Sequence, residues 1–430
     1  MTPPAGPSGG VTVIVIPQPT VNGPLHIGHL SGPYLAADVA SRAARSRGER
    51  VLTLAGVDIH PNYVLTKAES LDADVDELIA TYKGQIMTAF ERARIGYDVF
   101  LDPQEPTYQK AIAGMLGELV DSGTVPVQEM TLHQCADCGR TLHHSYVVGK
   151  CPVCGTGANG TSCEGCGGFT SAQVLLDPSC ARCGGPPRPV VLDVPVLRLE
   201  DYRDRLTTEW LQAEWPRRVR SVLRQYRNAP LPDVPLAYPT NWGIECGGPL
   251  DGMRVDFPTE LGLSYLYGPA QALRPEAASL AERVAAWSEV DGVWHFNGMD
   301  NTFYFTVLYP AILAAAGRPD PDPAAGARRG RDPAGGAGPA PDRLRRGAGG
   351  ARPAGGAEHG DRRRLGGAGG AHRSRPLVAG REPVAPGARL HRRRRTGREP
   401  AGLAAGRGGR ADRGVGRRAG ARRPRPGRPG

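Results

Sequence analysis

The fold turns on one stretch, Val11-Thr12-Val13-Ile14-Val15-Ile16-Pro17-Gln18-Pro19-Thr20-Val21-Asn22-Gly23-Pro24-Leu25-His26-Ile27-Gly28-His29-Leu30. Residues 11–16 form a continuous, β-branched apolar run between Gly10 and Pro17. Such a run predicts a strand buried on both faces, as in a parallel sheet. The Pro/Gly-punctuated segment 17–28 reads as a turn. It leads into a helix predicted over 28–47 and stopped by Gly48.

Working outward, residues 51–57 read as a second short buried strand and 98–101 as a third. Between them Ile79, Tyr82, Ile86 and Phe90 fall at helical spacing in a helix predicted over 78–94. A further helix is expected over 108–123. The alternation of strand and helix with short loops predicts an α/β fold built on a Rossmann-like, doubly wound parallel sheet. From Cys135 to Cys183 the texture changes to Cys, Gly and Pro with little periodicity. A single long helix with a basic second half is expected over 201–226. The α/β texture returns with a strand over 293–297 and an apolar helix over 302–316. The cysteine-rich part is therefore expected to be an insertion in the α/β domain. The division expected is 1–118 and 237–320 for the catalytic-type domain, 119–236 for the insertion and 321–430 for a tail.

Eight of the nine cysteines form four C-x-x-C pairs, Cys135/Cys138, Cys151/Cys154, Cys163/Cys166 and Cys180/Cys183, each followed by Gly. Two such pairs complete a tetrahedral thiolate shell, so the set fits two structural Zn²⁺ ions with no ligand left over. Spacing alone leaves the pairing open. A nested arrangement would put Cys151, Cys154, Cys163 and Cys166 on one ion and the outer four on the other. Cys246 is expected to be a small buried hydrophobe.

The strand-to-helix junction at 17–30 is a place for an anion, since the free N–H groups and the dipole of a helix start point outward there. Gly23 and Gly28 allow close backbone approach, and Asn22 lies in the same turn. His26 and His29, three residues apart, share a face from which both can donate to a polyphosphate. His26-Ile27-Gly28-His29, following Asn22-Gly23-Pro24-Leu25, resembles the HIGH signature of class I aminoacyl-tRNA synthetases, and in this context the methionyl-tRNA synthetase family. The resemblance covers residues 11–318 and implies ATP as substrate with Mg²⁺, an amino acid, tRNA and a cytoplasmic location. It implies catalytic roles for His26 and His29, and ATP contacts at Asn22, Gly23, Gly28, Gly298 and Asp300. Gly56-Val57-Asp58-Ile59-His60 is similar to the family's Gly-Thr-Asp-Glu-His segment, which gives Asp58 the substrate's amino group. Gln18 and Thr20 stand where the family has Leu and Tyr, and Phe305 where it has a pocket His. Met299 replaces the lysine of the Phe-x-Gly-Lys-Asp stretch. The family's Val-Trp-x-Asp-Ala-Pro-x-Gly-Tyr segment aligns with Val255 to Leu263, which puts Asp256 at the pocket Trp and Leu263 at the Tyr. These changes predict a pocket that has lost an aromatic wall and prefers an amino acid other than methionine.

Charge divides the chain. Of its 53 Lys and Arg, 28 lie after Asp320, all of them Arg, with only 8 of its 43 Asp and Glu. Residues 1–320 thus carry a formal −10 and the last 110 residues +20. The tail is almost entirely Gly, Ala, Arg and Pro, which cannot bury enough apolar surface to offset the entropy of ordering. That mixture is what a GC-rich gene yields out of frame, and we expect a frameshifted translation after about residue 320. A disordered Arg/Gly tail that binds nucleic acid is the other reading. The lysine-bearing loop that neutralises pyrophosphate in the family has no match there, so the chain as written is expected to be weakly active or inactive. No apolar run of membrane-spanning length is present, and nothing in the sequence sets an oligomeric state. Two further functions stay open: a paralogue that activates an amino acid for a small molecule or carrier protein, and a catalytically dead zinc-knuckle binding protein.

Overall fold

The computed structural model describes residues 9–213 and 215–318. The tail, and the readings made for it, lie outside the described residues. In chain order the elements are β1 (Val11–Val15), α1 (Ile27–His29), α2 (Leu35–Ser46), β2 (Val51–Gly56), α3 (Asn62–Leu71), α4 (Val75–Arg92), β3 (Val99–Leu101) and α5 (Pro106–Asp121). There follow β4 (Val127–Cys135), β5 (His144–Lys150), β6 (Gly157–Gly160), β7 (Leu176–Cys180) and β8 (Pro187–Arg198). The chain continues with α6 (Arg203–Gln212), α7 (Arg217–Asn228), β9 (Asp233–Pro235), β10 (Ala237–Tyr238) and β11 (Arg254–Val255). It closes with α8 (Phe257–Leu273), α9 (Leu280–Ala286), β12 (Val290–His295) and α10 (Tyr309–Ala315). No helix among the described residues is long and apolar enough to cross a membrane.

The central sheet has the order β12-β1-β2-β3, with every neighbour parallel. Its faces explain the unbroken apolar run in β1. Val13 and Val15 pack with Leu52 and Leu54 into one core, against α5, α8 and α10. Ile14 and Ile16 pack with Ala55 and Val57 into a second core, against α2, α3 and α4. Burial on both sides removes the polar alternation of a one-faced strand.

The insertion is built from antiparallel strands. β4 and β8 pair over nine residues, from Val127 against Pro195 to Cys135 against Pro187, and form a two-stranded stalk. Beyond it, β6, β5 and β7 make a small sheet that carries the cysteine turns.

Three expected helices differ in the structure. The helix expected over 28–47 is interrupted by a π-turn at Leu30–Tyr34, where Gly32 leaves helical geometry (φ −83°, ψ −108°) ahead of Pro33. Proline lacks the N–H that a continuous helix would use. The expected stop at Gly48 is present, with φ +81°. The single helix expected over 201–226 is two helices, because Pro216 is the N-cap of α7 and forces the residue before it out of helical space. The helix expected over 302–316 begins as a π-turn at Tyr304–Leu308 and becomes α10. The structure also adds α3 and α8, which periodicity does not reveal. In α8, 13 of 17 residues are buried on all sides, so it has no polar face to mark it.

β2 meets β3 at its last residue, Gly56 against Leu101. A Cβ on Gly56 would lie 2.5 Å from the Leu101 carbonyl oxygen and 2.9 Å from Gln18 Nε2. Gly56→Ala is expected to lower the unfolding free energy by about 1–3 kcal/mol, read as a lower urea midpoint at unchanged slope.

Candidate active site

One cleft at the C-terminal ends of β1, β2 and β12 is lined by Gln18, Thr20, Asn22, Gly23, His26, Gly28, His29, Asp58, Gly298, Asp300 and Phe305. These are all the candidate substrate-site residues of the sequence, gathered where open parallel sheets bind ligands. A parallel bridge between Thr20 and Asp58 ties the loop after β1 to the loop after β2. Asp58 N–H donates to the Pro19 carbonyl at 3.0 Å, and Val21 N–H donates to the Asp58 carbonyl at 3.1 Å.

At the helix start, the expectation of free backbone N–H groups needs correction. His26 is the N-cap, and its Nδ1 accepts from Gly28 N–H at 3.1 Å and His29 N–H at 3.4 Å. In return His29 Nδ1 accepts from His26 N–H at 3.4 Å. The N–H groups of His26, Gly28 and His29 are thus paired within the turn. An Nδ1 that accepts is unprotonated, so each neutral ring carries its proton on Nε2. The two rings stack with centroids 3.7 Å apart and planes 19° apart. Burial and the neighbouring His26 lower the His29 pKa, against an opposing pull from Asp300. This leaves the Nε2–H groups of His26 and His29 as side-chain donors on the cleft lining. Gly298 is needed opposite them, since a Cβ there would sit 2.4 Å from Asp300 Oδ1.

Asp58 is 3% exposed. One carboxylate oxygen accepts from the Thr20 hydroxyl at 3.3 Å, and Oδ1 has no partner among the described residues. Burial, followed by the Glu260 carboxylate, holds the Asp58 carboxyl well above the usual range. The Gln18 Nε2 is also buried without a partner. Phe305 belongs to a closed set of four rings. His295 and Phe305 lie 5.1 Å apart, Phe305 and Tyr309 5.2 Å, Tyr309 and Tyr265 5.6 Å, and Tyr265 and His295 5.3 Å. The Tyr265 hydroxyl meets His295 Nδ1 at 3.2 Å, and burial lowers the His295 pKa to about 4.

The expected loss of an aromatic wall is also corrected. Asp256 and Leu263 are buried away from the cleft, and from that stretch Phe257 and Leu261 line it. Leu263 sits on the core side of α8. The Asp256 carboxylate turns to His144 Nε2 at 2.7 Å. The aromatic wall is supplied by Tyr265, Tyr304, Phe305 and Tyr309.

The sequence reading gave no role to two buried imidazole–carboxylate pairs behind the cleft. His60 Nδ1 lies 2.7 Å from Glu260 Oε2, and His144 pairs with Asp256. Each joins residues more than a hundred positions apart, so no local pattern could have shown them.

A family model described as tRNA synthetases class I (M) matches residues 12–326. The chain belongs to that family. It is 29% identical over 306 residues to a methionine–tRNA ligase of Thermoplasma acidophilum, covering 70% of this chain and 55% of the relative. It is 29% identical over 316 residues to that of Thermomicrobium roseum, covering 70% and 52%. Among solved structures, a Mycobacterium tuberculosis methionyl-tRNA synthetase in complex with methionyl-adenylate shares the fold. Its TM-score is 0.52 at 18% identity, covering 72% of this chain and 55% of that one. The chain spans about half the length of the curated relatives it matches.

The insertion of this synthetase-family chain gathers its cysteines in the nested arrangement. Cys135, Cys138, Cys180 and Cys183 form one group and Cys151, Cys154, Cys163 and Cys166 the other, with all four Sγ atoms of each within 4.8 Å of one another. Opposed pairs approach to 3.4 and 3.8 Å in the outer group and 3.4 and 3.7 Å in the inner. A tetrahedron with Zn–S of about 2.3 Å has edges of about 3.8 Å, so both groups can hold an ion. The four turns share one construction. The N–H of Gly139, Gly155, Gly167 and Gly184 donates to the carbonyl of the first cysteine in its pair at 2.7–3.0 Å, with φ between +70° and +74°. Only glycine adopts that φ without strain. Cys246 is buried and belongs to neither group.

The buried Asp58 has a consequence for stability. Its folded-state pKa is raised, so the ionised carboxylate costs stability at neutral pH and recovers it on protonation. Asp58→Asn is expected to be more stable than wild type at pH 8, with the gap in urea midpoint closing as pH falls toward 4. An equal gap at both pH values would contradict the shift.

Proposed function

We propose that this chain activates an amino acid with ATP, forming an aminoacyl adenylate and pyrophosphate, and passes the aminoacyl group to tRNA. The observation that carries this is the convergence on one cleft of the stacked His26–His29 pair, Asp300 and the buried, half-unpartnered Asp58. The substrate ammonium docks on Asp58. Its charge satisfies Oδ1 and offsets the cost of a buried carboxylate. The substrate carboxylate attacks the α-phosphorus, and the bond from that phosphorus to the α,β-bridging oxygen breaks, releasing pyrophosphate. The Nε2–H groups of His26 and His29 stabilise the charge that develops on the phosphates. Asn22, Gly23 and Gly28 flank the nucleotide phosphates. Gly298 and Asp300 hold its ribose, and ATP enters as its Mg²⁺ complex. Gln18, Thr20 and Phe305 border the amino acid. Its side chain faces the aromatic box, and the polar Gln18 and Thr20 beside it favour an amino acid other than methionine. Residues 119–236 serve as a connective insertion between 1–118 and 237–320, and the reaction is placed in the cytoplasm.

ATP–pyrophosphate exchange tests this against a panel of amino acids. Exchange is expected with one amino acid other than methionine. His26→Asn keeps an acceptor at the N-cap, so its unfolding should match wild type. Its shorter side chain leaves the Nε2 position without a donor, so exchange should fall about 10²–10³-fold, as for loss of one transition-state donor. Exchange unchanged by His26→Asn and by His29→Ala would sink the reading.

We further propose zinc in both cysteine groups, as closed structural sites with no position left for chemistry. The full chain is expected to carry two equivalents by metal analysis. Cys154→Ser and Cys183→Ser should each carry one, and Cys246→Ser should keep two.

A further inference from the structure

We infer that Glu260, held by His60, is a positioning residue that keeps a proton on Asp58 in the empty cleft, so that a substrate ammonium docks only as that proton leaves; this deepens the adenylation reading and rests on it. Asp58 lines the cleft and Glu260 does not, yet the two belong to one buried cluster. Asp58 and His60 leave the end of β2 two residues apart. His60 Nδ1 lies 2.7 Å from Glu260 Oε2; a carboxylate oxygen only accepts, so the ring donates. Glu260 is fully buried in the first turn of α8. Asp58 Oδ1, Glu260 Oε1 and the Tyr108 hydroxyl are all buried without a partner among the described residues.

A buried imidazole–carboxylate pair is ordinarily a cross-link between two elements, with no bearing on a ligand. Three features go further. A cross-link alone would leave no oxygen open, since buried polar groups are nearly all paired, and here both acids keep one. The family segment aligned with residues 255–263 has proline at the position of Glu260, so the fold does not need an acid there. The two acids are also unequally supported. Glu260 has an imidazole and the positive end of a helix, both of which favour its charge. Asp58 has the Thr20 hydroxyl at 3.3 Å. Two carboxylates in one dry cluster cannot both ionise cheaply, and the proton goes to the less supported one.

The surroundings agree. Burial first and then Glu260 raise the Asp58 carboxyl, against the Thr20 bond, with Asp256 a lesser contributor. The other titratable groups that sense these acids are Tyr34 after the histidine turn, Tyr108 on α5 and Tyr309 on α10. Burial raises all three, so they stay neutral and add no charge. The empty site thus holds a neutral acid. An incoming ammonium keeps its own protons, and the Asp58 proton passes to solvent, one for each amino acid bound. Binding then strengthens as pH rises, by about ten-fold per unit while Asp58 is protonated. Without the Glu260 charge the proton leaves at lower pH, and affinity at the acid end rises. A structural defect would only weaken binding.

ATP–pyrophosphate exchange by the full chain, run with the standard L-amino acids between pH 6 and 8.5, tests the inference. In wild type the KM of the amino acid that exchanges should fall as pH rises, by up to about ten-fold per unit. Glu260→Gln keeps the shape and an acceptor for His60. It is expected to lower that KM at pH 6 by about ten-fold and to flatten the profile, with the change in KM and not in kcat. Asp256→Asn, which removes the other imidazole-paired acid, should move the profile less. Urea unfolding at pH 8 tests the pair without a ligand: the gain in midpoint from Asp58→Asn should shrink by about half or more in the Glu260→Gln background. Should Glu260→Gln fail to fold, carbon-13 NMR of labelled aspartate tests the wild type, where the carboxyl signal that Asp58→Asn removes is expected to titrate above the other aspartates. Equal urea gains in the two backgrounds, parallel KM profiles, or an Asp58 signal that titrates with the rest each overturns the inference. If no amino acid exchanges while the urea cycle still shows the coupling, the adenylation reading fails and the Asp58–Glu260 pair stands.

Discussion

β1 pairs in parallel on both of its edges, with β12 on one side and β2 on the other, and the site depends on that constraint. Three strands that end together put three loops at one edge of the sheet. The first brings Gln18, Thr20 and the histidine turn, the second brings Asp58, and the third brings Gly298 and Asp300. In sequence these groups span nearly the whole described chain. The insertion leaves and rejoins the domain without disturbing the sheet, because β4 and β8 run out and back as one ladder.

Much of this was legible because it is locally encoded. The apolar runs of β1 and β2 state burial on both faces. Each C-x-x-C-Gly states a turn, and all four turns are made with the same bond and the same positive φ. The rest was hidden for identifiable reasons. α8 lacks a polar face, so its period is invisible, although it supplies Asp256, Glu260 and Tyr265. Pro33 and Pro216 break helices that apolar spacing would have run through. The replaced positions Asp256 and Leu263 suggested a pocket stripped of aromatics. Helical phase turned both away and brought Tyr265 and Tyr309 in, a matter of three-dimensional direction that alignment does not carry.

The histidine turn shows how a short motif can do two jobs. A helix start leaves N–H groups unsatisfied, and a bound anion is one remedy. Here the imidazoles are the remedy. By accepting on Nδ1 they satisfy the turn without a ligand, and the same bonds fix the protons on Nε2, facing the cleft. Removing a ring would therefore remove its cap together with the proposed donor; a shorter side chain that still caps leaves only the Nε2 position empty.

Electrostatics explains why an acidic body suits this cleft. Asp58, Asp256 and Glu260 are all buried, and isolated buried carboxylates are costly. His144 and His60 each meet one oxygen of the last two; Asp58 Oδ1 and Glu260 Oε1 have no partner among the described residues, and of the three acids Asp58 is the one that lines the cleft. Burial first, and then the Glu260 carboxylate, raise the cost of ionising it, so the free site resists carrying a full negative charge there. A ligand ammonium reverses the balance, because it supplies the missing charge and the missing hydrogen bond at once. Under the proposed activity, preference for an α-amino group would follow from that open oxygen in the cleft lining: a ligand without a cation leaves Asp58 as costly as before. A cation elsewhere on the ligand would meet neither Asp256 nor Glu260, because neither lines the cleft.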